Sequence, residues 1–367
     1  MTKVAIIGAG AVGATAAYYI SKSEEVDVTV FDYGLGQATK AAAGIISPWF
    51  SKRRNKAWYR MARLGADFYQ TLVEDLKQAG QSTDFYQQTG VFILKRDESK
   101  LEELYDLALS RREESPLIGE LKILSKNQAN TLFPDLEGFG ELLYASGGAR
   151  VEGEELTATL LAASGVPVIS EKVDFEVTAI DYLIQGQHYD KLILATGAWL
   201  GEILEKHGYR VDVRPQKGQL RDYYFDNLVT DTYPVVMPEG ELDIIPFNKG
   251  KISMGASHEN DMGFDLAVDY DLLNQMEQEA QAYFPRFSDA TEARERVGIR
   301  AYTSDFSPFY GEIPDLPNVF VASGLGSTGL TVGPLIGHEL AMLILGQEGW
   351  LAEADYPVCR YISPTKG

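Results

Sequence analysis

The sequence predicts an α/β fold in two units: a three-layer unit around a mostly parallel sheet, and a smaller unit of mixed and antiparallel strands with helices. Three observations carry this. Apolar runs of the kind buried in parallel sheets occur at residues 4–7, 26–31, 190–195 (DKLILA) and 318–322 (NVFVA). Between 215 and 285 the pattern changes to β-rich stretches followed by a helix. At 367 residues the chain also exceeds the size at which one hydrophobic core usually stops growing.

The first run ends in Gly8-Ala9-Gly10-Ala11-Val12-Gly13, a GxGxxG turn opening an alanine-rich helical segment. Gly8 suits a tight turn, Gly10 a close approach of backbone to a pyrophosphate, and Gly13 the packing of helix on sheet. The pyrophosphate would rest on the helix amino end, where unpaired N–H groups and the helix dipole favour anions. The motif is short, so its flanks decide. Val26, Val28, Val30 and Phe31 form the second run, and Asp32 ends it 19 residues after Gly13. A carboxylate there holds a ribose 2′-hydroxyl and repels a 2′-phosphate, which points to FAD or NAD over NADP. The first unit is therefore Rossmann-like.

Residues 37–48 are small and end in a break; they suit backbone lying against a flat ligand and, equally, a short alanine-rich helix. Helical spacing follows at 56–79, a strand at 89–94 and a charged helix at 98–113. After the 190–195 run, Thr196-Gly197-Ala198 marks a close backbone approach. Pro215, Gly218 and Gln219 then open strands at 244–247 and 251–255, and a helix at 269–284 stops at Pro285. The final run leads into Gly324-Leu325-Gly326-Ser327-Thr328-Gly329 and an apolar helix, another place where N–H groups converge on an electron-rich atom. Pro334 is tolerable there if it falls in the first turn.

Composition excludes other classes. Asp and Glu number 53 against 33 Lys and Arg, and the net charge of −20 repels nucleic acid and anionic lipid. One cysteine, Cys359, rules out an internal disulfide or CxxC pair, and the four histidines have no metal-ligand spacing. No basic and apolar leader precedes the first strand, and the tract at 329–345 is interrupted by Pro334, His338 and Glu339, which fits a buried helix better than a membrane span. A cytoplasmic protein is expected; a homo-oligomer is compatible with the sequence.

With these motifs in order, the chain resembles the glycine oxidase and D-amino-acid oxidase family of flavoproteins, with sarcosine oxidases and D-amino-acid dehydrogenases as relatives. The resemblance spans 8–13, Asp32, 39–46, 195–199, 215–219, 298–305 and 324–329. It implies that Gly8, Gly10, Ala11, Val12 and Gly13, with Asp32 and Tyr33, bind the ADP part of FAD. It implies that Thr39, Lys40, Ala42, Ala43, Gly44 and Ile45 pass the isoalloxazine ring, with Ile45 touching the substrate pocket. Val173 matches a residue whose backbone meets the adenine, and Thr196 and Gly197 belong to the cofactor set. Gly324, Leu325, Gly326, Ser327, Thr328, Gly329 and Leu330 match the loop that aims a helix end at the flavin N1–C2=O edge.

In Gly298-Ile299-Arg300 the resemblance makes Arg300 the grip on a substrate carboxylate, a task for which a planar guanidinium is suited. Tyr302, Asp243 and His258 fall near the pocket. Arginine stands where sarcosine oxidases resemble one another in a flavin-tethering cysteine, so FAD is expected to be non-covalent; Ser253 replaces a lysine two residues before the glycine matched by Gly255, which puts efficient use of oxygen in question. Leu325 and Ser327 replace the polar or basic residues of glycine oxidases. The implied reaction is hydride transfer from the α-carbon of an amino acid or N-alkyl amino acid to flavin N5, giving an imine that hydrolyses to an oxo acid, with O2 or another acceptor taking the electrons. Alternatives are a flavin dehydrogenase of a hydroxy acid or glycerol phosphate, an NAD-linked dehydrogenase, and a non-catalytic FAD-binding protein. The expected division assigns 1–80, 146–219 and 296–367 to the FAD unit, and 81–145 and 220–295 to the substrate unit.

Overall fold

The structure, a computed structural model, describes residues 1–97 and 99–365. The four apolar runs lie side by side. Val319–Ser323, Lys191–Leu194, Thr2–Ile7 and Val26–Phe31 are parallel neighbours in that order, extended at one edge by Val168–Ile169 and at the other by the antiparallel Phe309–Glu312. Both faces are covered at the centre of the sheet, which is why the runs at 4–7, 191–194 and 319–322 are continuous, whereas Val26–Phe31 alternates, with Asp27 exposed and Thr29 half-buried. On one face packs the helix Ala11–Ile20, with Gly329–Leu345 and Lys56–Gln78 beside it. On the other lie the three-stranded meander at 176–189 and apolar side chains such as Phe175, Leu200 and Tyr361.

Gly13 makes the helix-to-sheet contact possible: a Cβ there would stand 1.8 Å from the Gly8 carbonyl oxygen. The segment Gly326–Leu345 is long and apolar enough to cross a membrane by length and composition, but 67% of it is buried inside the protein. Pro334 corrects one expectation. It is the sixth residue of the helix Gly329–Leu345, beyond the first turn, and leaves the Leu330 carbonyl without its helical donor. The Tyr69 hydroxyl takes that place, donating to the Leu330 oxygen at 2.6 Å.

The second sheet has eight strands in the order Glu292–Tyr302, Arg214–Tyr224, Lys251–Gly255, Asp243–Pro246, Val235–Met237, Val91–Ile93, Glu141–Ala145 and Leu121–Ser125. All neighbours are antiparallel except 91–93 with 235–237. The two eleven-residue strands at 214–224 and 292–302 pair along their full length and cross the divisions expected at 219 and 295. They also fasten the sheet to the glycine-rich unit: the Ile299 N–H donates to the Gly36 carbonyl at 3.0 Å, and Arg296 Nη1 donates to the Lys40 carbonyl at 2.8 Å.

The helix at 56–79 is Lys56–Gln78, capped by the Asn55 side chain accepting from the Trp58 N–H. The helix at 269–284 is Tyr270–Gln281, capped by Asp269. Ser99–Arg111 realises the charged helix, whose expected first residue, Glu98, lies outside the described residues. The strand at 89–94 shortens to Val91–Ile93, because Gly90 turns the chain at φ +90°. The helical reading of 37–48 holds in part: Ala38–Ala41 is a single helical turn, and Ile45–Ile46 is extended.

Candidate active site

A cavity of about 870 Å³ runs between the two sheets, a volume typical of a small-molecule site. Of the cofactor residues expected from the sequence, Gly8, Gly10, Ala11, Val12, Asp32, Tyr33, Thr39, Ala42, Ala43, Gly44, Ile45, Val173, Thr196, Gly197, Leu325, Gly326, Ser327, Thr328, Gly329 and Leu330 line it. So do Asp243, His258 and Arg300. The chain thus gathers both glycine-rich turns, from opposite ends of the sequence, around one space.

Four expected residues stand behind the wall. Gly13 and Gly324 shape turns, and the Lys40 carbonyl receives Arg296. Tyr302 does not border the pocket: it is 8% exposed, and its hydroxyl accepts from the Ser327 N–H at 3.0 Å. A Cβ on Gly326 would meet the Tyr302 ring at 2.1 Å, so this ring supports the second glycine-rich turn from below.

At the nucleotide-like end, Asp32 is tied into the turn. One carboxylate oxygen accepts from the Ala9 N–H at 2.6 Å and from Gln37 Nε2 at 2.5 Å, and the other accepts from the Gly34 N–H at 2.6 Å. A carboxylate has about four acceptor directions, so one remains for a ligand hydroxyl. Two cavity-lining polar atoms, Gln37 Oε1 and Thr196 Oγ1, are buried without a partner. The helices Ala11–Ile20 and Gly329–Leu345 both begin at the cavity with no capping bond from their own N-cap residue and no acidic residue in the first turn; at the first, the Ala11 N–H donates to Thr39 Oγ1 at 3.0 Å. Helix ends without a countercharge and orphaned polar groups around one cavity fit a diphosphate-bearing cofactor such as FAD. Cys359 is exposed and does not line the cavity.

At the other end, Arg300 is placed by register. It pairs with Gln216, two residues from the Gly218–Gly298 pair, and its guanidinium lies across Gly218, where a Cβ would approach Nη1 to 2.4 Å. Nη1 donates to the Gln216 side-chain oxygen at 3.2 Å and to the Ser257 carbonyl at 2.8 Å. Among the described residues no carboxylate lies within 4.0 Å of it, whereas Arg221 and Arg296 on the same sheet are both paired. Burial lowers its pKa from the usual 12.5, partly opposed by Tyr302, Glu241 and Glu259; the group is still a cation at neutral pH.

His258 Nδ1 stands 3.3 Å from Glu241, and burial, then the Arg300 charge, hold its pKa below the usual imidazole range. Asp243 has no hydrogen-bond or ion-pair partner among the described residues, and burial pushes its carboxyl up to about 8. Ser253 does not line the cavity; its hydroxyl donates to Asp222 at 2.5 Å, inside a buried network with Arg296.

Sequence reasoning missed several walls. Gln37 holds Asp32, Met237 ends the strand Val235–Met237, and Glu239 and Glu241 come from the connection that follows it. Lys52, Lys95 and Lys100 also line the space, Lys52 paired to Glu103 and Lys100 to Glu239. The Pro238-Glu239-Gly240-Glu241 run does carry a turn signal, but nothing in its composition says which cavity the turn faces.

The comparisons with known proteins agree with this geometry. The DAO family, described as FAD dependent oxidoreductase, matches residues 3–343. The uncharacterized oxidoreductase YurR of Bacillus subtilis is 38% identical, over 97% of this chain and 98% of its own length. The glycine oxidase of Pseudomonas putida is 26% identical over 96% and 97%. The crystal structure of iminodiacetate oxidase from Chelativorans sp. BNC1 superposes with a TM-score of 0.90 at 32% identity, covering 98% of both chains.

Proposed function

The chain belongs to the DAO family of FAD-dependent oxidoreductases, and from that premise we propose that it oxidises the carbon–nitrogen bond of a small amino acid or N-alkyl amino acid. One observation carries the reading: Arg300 is a cation on the cavity wall with no carboxylate paired to it among the described residues. Holding such a charge away from bulk water costs several kcal/mol unless a partner arrives, and a substrate carboxylate is the partner that fits.

In this reading the turn at Gly8–Gly13 and the helix behind it hold the pyrophosphate, and Asp32 a ribose hydroxyl. Thr39 to Ile45 would support the ring, and the helix end at 325–330 would stabilise negative charge gathered on it. FAD, bound without a covalent tether, supplies the acceptor for the hydride of the α-carbon. Arg300 binds the carboxylate through paired N–H donors and so fixes which bond of the α-carbon faces the ring. Gln216 and the Ser257 carbonyl hold the guanidinium in that orientation. The walls from Ile45 and Met237 keep water from the reacting carbon.

Anaerobic mixing with glycine, sarcosine, iminodiacetate, proline and D- and L-amino acids, with hydroxy acids as controls, tests the proposal through loss of the yellow flavin absorbance. Bleaching by at least one amine but by no hydroxy acid is expected. Bleaching by hydroxy acids alone, or by none, overturns it. Admitting air then reads whether oxygen takes the electrons. Arg300→Ala should lower kcat/KM for the bleaching amine about a hundredfold, the worth of a charge-assisted pair near 3 kcal/mol; unchanged kinetics would remove the anchor.

A further inference from the structure

Asp243 opens the strand Asp243–Pro246 and faces the same cavity as Arg300. Its register partner is Gly255, so no side chain crowds it from that neighbour, and Met237 closes the other side. The charged groups that share the cavity from adjoining elements are Glu239, Glu241, His258, Lys95 and Arg300. None of them bonds to Asp243. Glu241 is 70% exposed and lies beside His258, and Glu239 is paired with Lys100. Among the described residues, Arg300 and Lys95 are cavity-lining cations without an ion-pair partner and Asp243 is a cavity-lining carboxyl without one; a half-buried guanidinium and carboxyl left in this way persist at sites that a ligand completes.

We propose that Asp243 receives the proton of the substrate nitrogen, and so makes this site select an amine over an alcohol. The inference rests on the amino-acid reading above and deepens it. An amino acid arrives with its carboxylate on Arg300 and its ammonium toward Asp243. As the ammonium docks, the Asp243 carboxyl releases its own proton to solvent; one N–H bond then breaks and an O–H bond forms on the resulting carboxylate, which leaves a neutral amine with a free electron pair. The α-carbon then gives up its hydrogen with both bonding electrons to the flavin, and the nitrogen pair closes the C=N bond. The substrate loses two electrons, the flavin gains two, and the proton stays on Asp243 until solvent removes it. An alcohol presents no ammonium and finds only an uncharged acid there. Burial that raises the Asp243 pKa to about 8 suits a group exchanging a proton with an amine.

Asp243→Asn keeps the shape and removes the acceptor. In the wild-type holoenzyme the rising limb of kcat/KM with pH should stay in one place across substrates whose amines titrate at different pH. In D243N it should move to each substrate's own amine, with a loss of about a hundredfold at pH 7. Inhibition by acetate, which engages Arg300 alone, should be unchanged. On the dithionite-reduced holoenzyme at pH 7, which binds without turning over, glycine should expel about one proton per site from the wild type and none from D243N. A wild-type limb that follows the substrate amine, or D243N kinetics within threefold of wild type with an unshifted profile, overturns the proposal. If D243N fails to retain flavin, the wild-type substrate series and proton count decide alone. If amines bleach the flavin and these results fail, only the role of Asp243 falls; if no amine bleaches it, the amino-acid reading falls instead.

Discussion

Asp243→Asn should make the folded protein more stable, and increasingly so as pH rises from 5 to 8. The folded-state pKa of Asp243 is raised to about 8, against 3.8 for an unperturbed aspartate, and burial is the cause. Between those values the folded protein holds a proton that the unfolded chain has released. Stability therefore falls with rising pH across that window and levels off above it. At 1.36 kcal/mol per pH unit, the interval from 3.8 to about 8 sets a ceiling of roughly 6 kcal/mol. The carboxyl is half-buried and its open side meets cavity water, so screening brings the expected cost nearer 2 kcal/mol at pH 8 and well under 1 kcal/mol at pH 5. Asparagine has nearly the same volume and never ionises, which removes the cost. Denaturant unfolding of both proteins at pH 5, 6, 7 and 8, with FAD at one fixed excess so that its own linkage cancels, reads the difference. A gap between variant and wild type that stays flat across those pH values would refute the reasoning, since a packing effect of the substitution has no reason to titrate.

Two further substitutions test how the fold supports the cavity. Tyr69→Phe leaves the Leu330 carbonyl, already deprived of its helical donor by Pro334, without a partner. It should cost about 1–3 kcal/mol in unfolding experiments, and much less in a Pro334→Ala background, where the helix supplies its own N–H; equal costs in the two backgrounds would contradict this assignment. Gly10→Ala meets only the Thr39 hydroxyl, at 3.1 Å, so the protein should fold with its thermal midpoint within a few degrees of wild type. The new methyl stands where backbone is expected to meet a pyrophosphate, so the purified variant should be pale, with FAD affinity reduced at least tenfold by fluorescence titration. A fully yellow G10A protein would displace the cofactor from that turn.

Much of the glycine-rich unit was legible because its signals are local. A buried parallel strand is a continuous apolar run, and a turn that approaches a ligand needs glycine. Residues 4–13, 190–197 and 318–329 each carry those marks within ten or so positions, 26–32 is marked by alternating valines that end in an acid, and the structure lays all four strands adjacent in one sheet. Where local marks conflict with packing, packing prevails. Pro334 sits deep in a helix because Tyr69, 261 residues before Leu330, donates the missing bond to the Leu330 carbonyl. Tyr302 follows Arg300 by two residues, yet it serves the turn at 326–327 rather than the pocket. Neither relation leaves a trace at its own position in the sequence.

The substrate wall was less legible, because it is written in strand register. Gly218 and Gly298 face each other across the two long strands, and Gln216 faces Arg300 two residues on. The missing side chain of Gly218 lets the guanidinium lie flat on the sheet, while Gln216 and Ser257 hold it with neutral oxygens rather than with a carboxylate. A glutamate at 216 would have made Arg300 a structural ion pair; glutamine keeps the cation aimed and still in want of an anion. Asp243 follows the same logic with the opposite sign, since its register partner is a glycine and no base is set beside it. The two unsatisfied groups enter the cavity from strands separated in the sheet by 214–224 and 251–255. At neutral pH the empty protein thus holds a cation and an uncharged carboxyl apart; once the carboxyl gives up its proton the two are the complement of a zwitterion, and the free energy withheld from folding at Arg300 becomes available when such a ligand binds.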